Sequence, residues 1–161
     1  MINYLFSGID KEKGFSKEQS KFLKEDILSN SNITFIASVF DNYEKNDLQK
    51  SNYIKFFQNI GITFKEVNLI DSRTSIAESQ IILENTAIIF LLGGSPELQM
   101  KSIREYEIVE CIKKCKIVLG VSAGAMNQSN RVMYKDDFDN YKMKDYAGLG
   151  IVDIILCTAN I

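Results

Sequence analysis

The 161-residue sequence contains no histidine and only three cysteines. Without an imidazole, mechanisms that need a histidine base or ligand are excluded within this chain. An odd number of cysteines in a chain rich in lysine and isoleucine favours reduced thiols over a disulfide framework. Cys111 and Cys115 lie four residues apart on a predicted helix, but no further cysteine nearby completes a ligand set. We therefore interpret them as small buried side chains and expect no metal.

An excess of charge of one sign is lacking too, because 19 basic and 21 acidic side chains give a formal net charge of −2. This balance provides no broad electrostatic reason to bind nucleic acid. No apolar run approaches the ~18 residues of a membrane-spanning helix, so no membrane partner is expected. The segment Met1–Phe6 has neither a basic leader nor a small-residue cleavage site, which predicts a cytoplasmic protein.

Short apolar runs alternate with amphipathic stretches along the chain, and the length suits one domain, residues 1–161. The charged stretch 135–144 is interpreted as a solvated loop. Strands apolar on both faces and separated by helices predict an α/β fold, a three-layer α/β/α sandwich around a mostly parallel sheet. Strands are predicted at 3–6, 33–39, 63–70, 87–92, 116–121 and 148–157, and helices at 16–28, 46–59, 75–84, 96–114 (one or two) and 123–130.

Helix boundaries carry their own signals. Ser16 and Ser75, with Gln19 and Glu78 three residues later, form capping boxes. The second helix is predicted to begin at Asn46 or Asp47 and to stop before Gly61. In the first helix, Phe22, Leu23 and Ile27 are predicted to form the inner face.

The segment Gly120-Val121-Ser122-Ala123-Gly124 matches the G-x-S-x-G nucleophile elbow, and it lies between a predicted buried strand and a predicted helix. The sharp turn would raise the Ser122 hydroxyl above the sheet and point the Ala123 amide toward a developing oxyanion. A structural interpretation is also open, in which Ser122 caps an ordinary strand-to-helix turn. The location of the motif between a buried strand and a helix favours the interpretation of Ser122 as a nucleophile.

A second glycine turn, Gly93-Gly94-Ser95-Pro96, follows another predicted buried strand. Two glycines let a backbone approach a ligand closely and turn an amide inward. In a hydrolase the Gly94 amide would be the other oxyanion donor, and Gly93 and Ser95 would contact substrate. Ligand sites lie beyond the carboxyl ends of parallel strands, so the two glycine turns together predict a site.

The segments Phe90–Ser95 and Gly120–Asn127 resemble the dipeptidase E and cyanophycinase family of serine peptidases, and the resemblance extends over nearly the whole chain, through Gly148–Asp153. It implies a fold similar to class I glutamine amidotransferases (flavodoxin-like), no metal or organic cofactor, and a peptide substrate with an acidic residue beside the scissile bond. Ser122 would be the nucleophile, and the amides of Gly94 and Ala123 would form the oxyanion hole.

The chain departs from the family pattern at the position of the catalytic base, which is a histidine in the family. The family's histidine falls on Ala159 of this sequence, while its acidic residue falls on Asp137, beside Asp136. Relatives continue beyond this point with further strands and a helix, so we expect this chain to lack those elements. A sheet edge left uncovered in this way predicts self-association into a homo-oligomer.

Other charged residues are candidates for two roles, a lysine as a substitute base and an arginine as a ligand of the substrate carboxylate. Lys135, the first lysine after the elbow, is the candidate to replace the histidine in a Ser-Lys pair, if burial lowered its pKa. Among the three arginines, Arg73, Arg104 and Arg131, the last is the best candidate to bind a substrate carboxylate. Surface ion pairs are the commoner role of such residues.

The sequence therefore predicts a serine-type peptidase of the dipeptidase E-like family, acting through an acyl-enzyme at Ser122 and severely impaired here because the base is absent. The alternative is a catalytically silent protein whose pocket binds a peptide or a small acidic ligand. A glutaminase of the amidotransferase type would carry a cysteine in place of Ser122. A general α/β-hydrolase would also need a histidine after the acid.

Overall fold

A computed structural model describes residues 1–136 and 142–158 of the chain. Its main sheet is parallel, as the sequence predicted, but it has five strands, because the sixth predicted strand belongs to a second sheet. The order across the sheet is first, fifth, fourth, second and third. These strands are β1 (Ile2–Phe6), β2 (Ser31–Ile36), β3 (Phe64–Ile70), β4 (Ile88–Leu91) and β5 (Ile117–Val121).

Helices cover both faces of this sheet, which confirms the three-layer α/β/α sandwich. Alternate residues of a strand point to opposite faces, so Phe90 packs into one core cluster and Leu91 into the other. The first cluster includes side chains of α1 (Lys17–Asp26) and α2 (Tyr43–Asn59), and the second includes side chains of α3 (Ile76–Glu84), α4 (Pro96–Glu105) and α5 (Val109–Lys114).

The predicted helix signals are confirmed at α1 and in part at α3, and they are wrong at the start of α2. Ser16 and Gln19 form a reciprocal capping box at α1. At α3 the Ser75 side chain accepts the Glu78 amide, without the reciprocal bond from the Glu78 side chain. The second helix begins at Tyr43 with Asn42 as its cap, so the predicted start at Asn46 or Asp47 is wrong.

Asn46 lies inside α2 because its side-chain amide belongs to a buried cluster. It donates to the Val39 carbonyl at 3.1 Å and to Asp71 at 3.4 Å. In α1, Leu23 and Ile27 are buried as predicted, whereas Phe22 is 54% exposed and does not belong to the inner face.

The largest correction concerns the chain after the elbow. The predicted helix 123–130 ends early, as the single turn α6 (Ala123–Met126), and the predicted loop 135–144 is partly strand. A second sheet has the order β7-β6-β8, with β6 antiparallel to β7 and parallel to β8. Its strands are β6 (Ser129–Asp136), β7 (Lys142–Ala147) and β8 (Val152–Thr158).

The charges along this stretch are compatible with a strand because only part of β6 is covered. Val132 is fully buried, while Arg131 and Lys135 are exposed on the same strand. The last strand begins at Val152, later than predicted, because Gly148–Ile151 turns back and bonds to the backbone of Asn127–Asn130.

The strand order creates a crevice at one point of the main sheet. The chain leaves β2 toward the β3 edge, but it leaves β4 in the opposite direction, toward β5. Adjacent strands whose connections diverge leave a crevice at their carboxyl ends. Over the described residues, no helix is long and apolar enough to cross a membrane.

Candidate active site

A cavity of about 690 Å³ lies at the carboxyl ends of the central strands. The segments after β2, β4 and β5 meet there, and the end of β6 from the second sheet closes one side. The cavity is lined by Val39, Lys45, Gly94, Ser95, Pro96, Glu97, Leu98, Ser122, Ala123, Met126, Tyr134, Lys135 and Asp136.

Ser122 lies at this cavity in a strained backbone conformation. Its φ is 51° and its ψ is −111°, between the end of β5 and the first residue of α6. A positive φ is uncommon for residues other than glycine. The Ser122 side chain is exposed and makes no capping hydrogen bond to α6. This geometry is that of a nucleophile elbow and contradicts the interpretation of Ser122 as a helix cap.

The two glycines of the elbow are required by close packing. A β-carbon on Gly120 would lie 2.6 Å from Nε2 of Gln128, and one on Gly124 would overlap the Leu91 carbonyl group of β4. Larger residues would push α6 away from the sheet. The two glycines therefore allow the elbow to pack closely against β4. The loop that follows β4 carries Gly93 and Gly94.

The Gly-Gly loop touches the elbow directly. A β-carbon on Gly93 would lie 3.6 Å from the Ser122 β-carbon, and Gly93 itself is buried. Gly94 has a φ of 150° and is exposed at the cavity. A β-carbon there would lie 2.7 Å from Oγ of Ser38. Only glycine fits at position 94 without displacing Ser38.

Two backbone amides at the cavity are available to a ligand. Within the described residues, neither the Gly94 nor the Ala123 amide has a hydrogen-bond acceptor. The Ser122 amide, by contrast, donates to the Phe6 carbonyl at 2.9 Å. Both predicted oxyanion donors are thus without an acceptor among the described residues. Ser95 also lines the cavity, but its hydroxyl accepts the Leu98 amide as the cap of α4.

Cationic side chains reach the cavity from two sides. Lys45 comes from the first turn of α2, and its Nζ lies 3.8 Å from the position of a β-carbon at Gly94. Lys135 comes from β6. In the part of the chain that the structure describes, neither lysine forms an ion pair. Burial, together with the Asp136 and Glu97 carboxylates, raises the pKa of Tyr134 beside them.

Arg131, predicted to bind a substrate carboxylate, does not line this cavity. It forms a two-point ion pair with Asp145 across the β6–β7 pair, with Nη2 2.5 Å from Oδ2. This hydrogen bond lowers the pKa of Asp145. Arg73 is likewise paired with Asp47 and Asp71, and Arg104 donates to the Ala147 carbonyl.

Two predicted positions, Asp137 and Ala159, lie outside the described residues. Their roles as acid and as the site of the family's histidine stay predictions. The neighbouring Asp136 does line the cavity. Sequence reasoning missed Lys45 and Ser38, although Ser38 follows β2 directly and its position at the carboxyl edge was a usable signal.

A buried hydrogen-bond network supports the site from below. The Asn127 amide donates to the Pro96 carbonyl at 2.9 Å and to Gln99 at 3.0 Å. Gln99 in turn donates to the Leu92 carbonyl at 3.0 Å. Tyr146 of β7 donates to the Asn127 oxygen at 2.9 Å. This network connects both sheets to the loops that carry Ser122 and Gly94.

The chain is similar to known peptidases in its sequence pattern and in its fold. The model of peptidase family S51 matches residues 5–159. A peptidase E protein of Listeria monocytogenes EGD-e has a similar structure, with a TM-score of 0.67 and 20% identity over 94% of this chain and 75% of its own.

A peptidase from an acI-B1 actinobacterium is also similar, with a TM-score of 0.65 and 15% identity over 94% of this chain and 64% of its own. The TM-scores show a shared fold, and at these low identities the likeness shows the fold alone. No curated protein matches the sequence significantly.

Proposed function

This chain belongs to peptidase family S51, and from that premise we propose that its cavity binds a peptide and places a carbonyl group above Ser122. The observation that carries the proposal is the exposed Ser122, held at a φ of 51° against Gly93 of the neighbouring loop. A strained, exposed serine between a buried strand and a helix is the arrangement that acyl transfer uses.

The chemistry proposed for the site is nucleophilic. The Ser122 Oγ attacks the peptide carbonyl, and the negative charge that develops on its oxygen is stabilised by the N–H groups of Gly94 and Ala123. Both amides lack an acceptor among the described residues and lie at the same cavity. Gly93 supports this arrangement by packing against Ser122, and Ser95 contributes to the substrate wall.

The step that the chain performs poorly is removal of the Ser122 proton. A neutral serine hydroxyl is a weak nucleophile, and the sequence contains no imidazole to accept its proton. A carboxylate such as the proposed acid Asp137 is a weak base at neutral pH. Loss of a triad member typically lowers the rate by several orders of magnitude. We therefore expect severely impaired hydrolysis by this chain.

Lys45 and Lys135 are the side chains that could pair with an acidic ligand. They reach the cavity from α2 and β6, and neither forms an ion pair among the described residues. The lining also includes the carboxylates of Asp136 and of Glu97, which is paired with Lys144. The proposed preference for an acidic ligand therefore rests on local pairing with the two lysines and not on the net charge of the cavity.

The two lysines take the role that sequence reasoning assigned to Arg131. An N-terminal aspartyl dipeptide offers a carboxylate of suitable size for one of them.

A fluorophosphonate probe tests the proposal, since it reacts with a serine hydroxyl held in an oxyanion hole. Intact-protein mass spectrometry should show slow addition of one label at pH 7.5, and peptide mapping should place it on Ser122. Ser122→Ala should abolish labelling, whereas Ser51→Ala, an exposed serine on α2, should leave it unchanged.

The possible results separate the candidate functions. Labelling elsewhere, or none even at high pH, would contradict the acyl-acceptor role. Complete labelling within minutes at neutral pH would contradict impairment and indicate another base. The second candidate is a silent binding protein, which the absence of histidine favours; it requires dipeptide binding without any reaction at Ser122.

A further inference from the structure

Three side chains hold the carbonyl groups of the Gly-Gly loop. Gln99 donates to the Leu92 carbonyl at 3.0 Å, Gln49 to the Gly93 carbonyl at 3.2 Å, and Ser38 to the Ser95 carbonyl at 2.9 Å. Gln49 lies on α2, one turn after Lys45, and its side chain is partly buried. The hydrogen bond from Gln49 to the Gly93 carbonyl matters most for the proposed chemistry, because the same peptide group also carries the Gly94 N–H.

The Gly93 carbonyl and the Gly94 N–H belong to the same peptide group. A trans peptide is planar, so its C=O and N–H point in opposite directions. The structure contains no cis peptide bond among the described residues. A hydrogen bond that holds the Gly93 oxygen toward α2 therefore holds the Gly94 N–H away from α2, and it sets the direction of that donor.

This peptide has little else to restrain its orientation. Glycine residues lie on both sides of it, so no β-carbon opposes rotation of the plane. Gly94 already has a φ of 150°, which other residues rarely adopt. Rotation would turn one of the two proposed oxyanion donors away from the cavity.

We propose that Gln49 is a positioning residue, whose amide fixes the Gly93–Gly94 peptide so that the Gly94 N–H faces the cavity. The inference rests on the proposed function, because it concerns the donor that would stabilise the transition state. Gln49 itself does not line the cavity. Its effect should therefore fall on the rate of reaction at Ser122 and not on ligand affinity.

Gln49→Met removes the donor and keeps the length of the side chain, and Gln58→Met, at an exposed position of the same helix, is the matched control. Labelling is measured at pH 9 over a range of fluorophosphonate concentrations. We expect the maximal labelling rate to fall about tenfold, less than the ~10²–10³-fold loss typical when an oxyanion donor is removed entirely. The half-saturating concentration and the melting temperature should stay close to those of the control.

A second measurement does not depend on reactivity. In ¹H–¹⁵N spectra, Gln49→Met should shift the Gly94 amide resonance and accelerate its hydrogen exchange, while Gln58→Met leaves both unchanged. An unaltered Gly94 resonance, or an unaltered labelling rate, would overturn the inference. If the unmodified protein is not labelled at Ser122, the proposed function is wrong, and the Gly94 resonance still decides whether Gln49 restrains the peptide.

Discussion

Lys45 illustrates how a single residue gains a role from its surroundings. In the sequence it is one of many lysines, without a motif around it. In the structure it lies on the first turn of α2, directly beside the Gly-Gly loop, and lines the cavity. Attraction between opposite charges near a protein surface is modest and is weakened by salt. Lys45 should therefore contribute to ligand choice more than to total affinity.

Replacing Lys45 by methionine should weaken binding of the dipeptide Asp-Leu about three- to tenfold at low salt, the size expected of one partly solvated charge pair. Binding of Asn-Leu, which lacks the side-chain carboxylate, should change less than twofold. Isothermal titration calorimetry with Ser122→Ala as the background measures both. Lys55→Met, at an exposed position of α2, is the control. Equal losses for the two dipeptides would show that Lys45 does not recognise the carboxylate.

At the scale of elements, the second sheet is attached to the site through Tyr146 of β7. Its hydroxyl donates to the buried Asn127 oxygen at 2.9 Å, and Asn127 holds α4 through Gln99. Burial is the main reason why the pKa of Tyr146 is raised, followed by nearby Tyr134 and Glu97. The protonated hydroxyl is the form that can donate. Its stabilising contribution is complete below the ordinary tyrosine pKa and is lost as pH rises through the higher folded value.

Tyr146→Phe should lower the free energy of unfolding by about 1–2 kcal/mol at pH 7, because it leaves the buried Asn127 oxygen without a donor. Urea denaturation measures the loss. The difference between the unmodified protein and the variant should shrink at strongly alkaline pH, where the unmodified hydroxyl ionises. Tyr43→Phe is the control, since its hydroxyl bonds to the exposed Ser72. A Tyr146→Phe effect no larger than this control would contradict the role of the contact.

For the whole molecule, the absence of histidine governs how reactivity depends on pH. A histidine base would produce a step in the rate near its ordinary pKa of ~6.5. If Ser122 reacts as proposed, its proton passes to a group other than imidazole, such as water, hydroxide or a lysine. The expected homo-oligomer stays a prediction, and it does not affect this reasoning.

The rate of Ser122 labelling should therefore rise continuously between pH 5.5 and 9, without a plateau that begins near pH 7. Rates are measured at constant ionic strength and corrected for probe hydrolysis. Lys135→Met distinguishes the remaining base, because a Ser-Lys pair would lose its alkaline rise in this variant. A sigmoidal step centred near pH 6.5 would show that another group replaces the imidazole.

Local patterns accounted for the elbow and the Gly-Gly loop because each is a short glycine-containing motif that directly follows a buried strand, although contacts that require the glycines come from other elements of the fold. Gly120 and Gly124 are needed for close packing around Ser122, and that need is visible as a motif. The predicted start of α2 was wrong because Asn42 and Asn46 are both residues that can cap a helix, and the local sequence does not distinguish them. Burial of the Asn46 amide against Asp71 decided between them, and that contact joins distant parts of the chain.

Patterns along the chain were enough to predict the parallel sheet and the placement of Ser122 and Gly94 at its carboxyl edge, and the composition shows that imidazole is absent. Periodicity, glycine spacing and composition are local or countable properties, and they do not depend on which elements become neighbours. The fold was needed to show that Arg131 is paired with Asp145, that Lys45 and Lys135 line the cavity, and that Gln49 holds the Gly93 carbonyl. Each of these depends on contacts between elements far apart in the chain, which a pattern along the sequence does not specify.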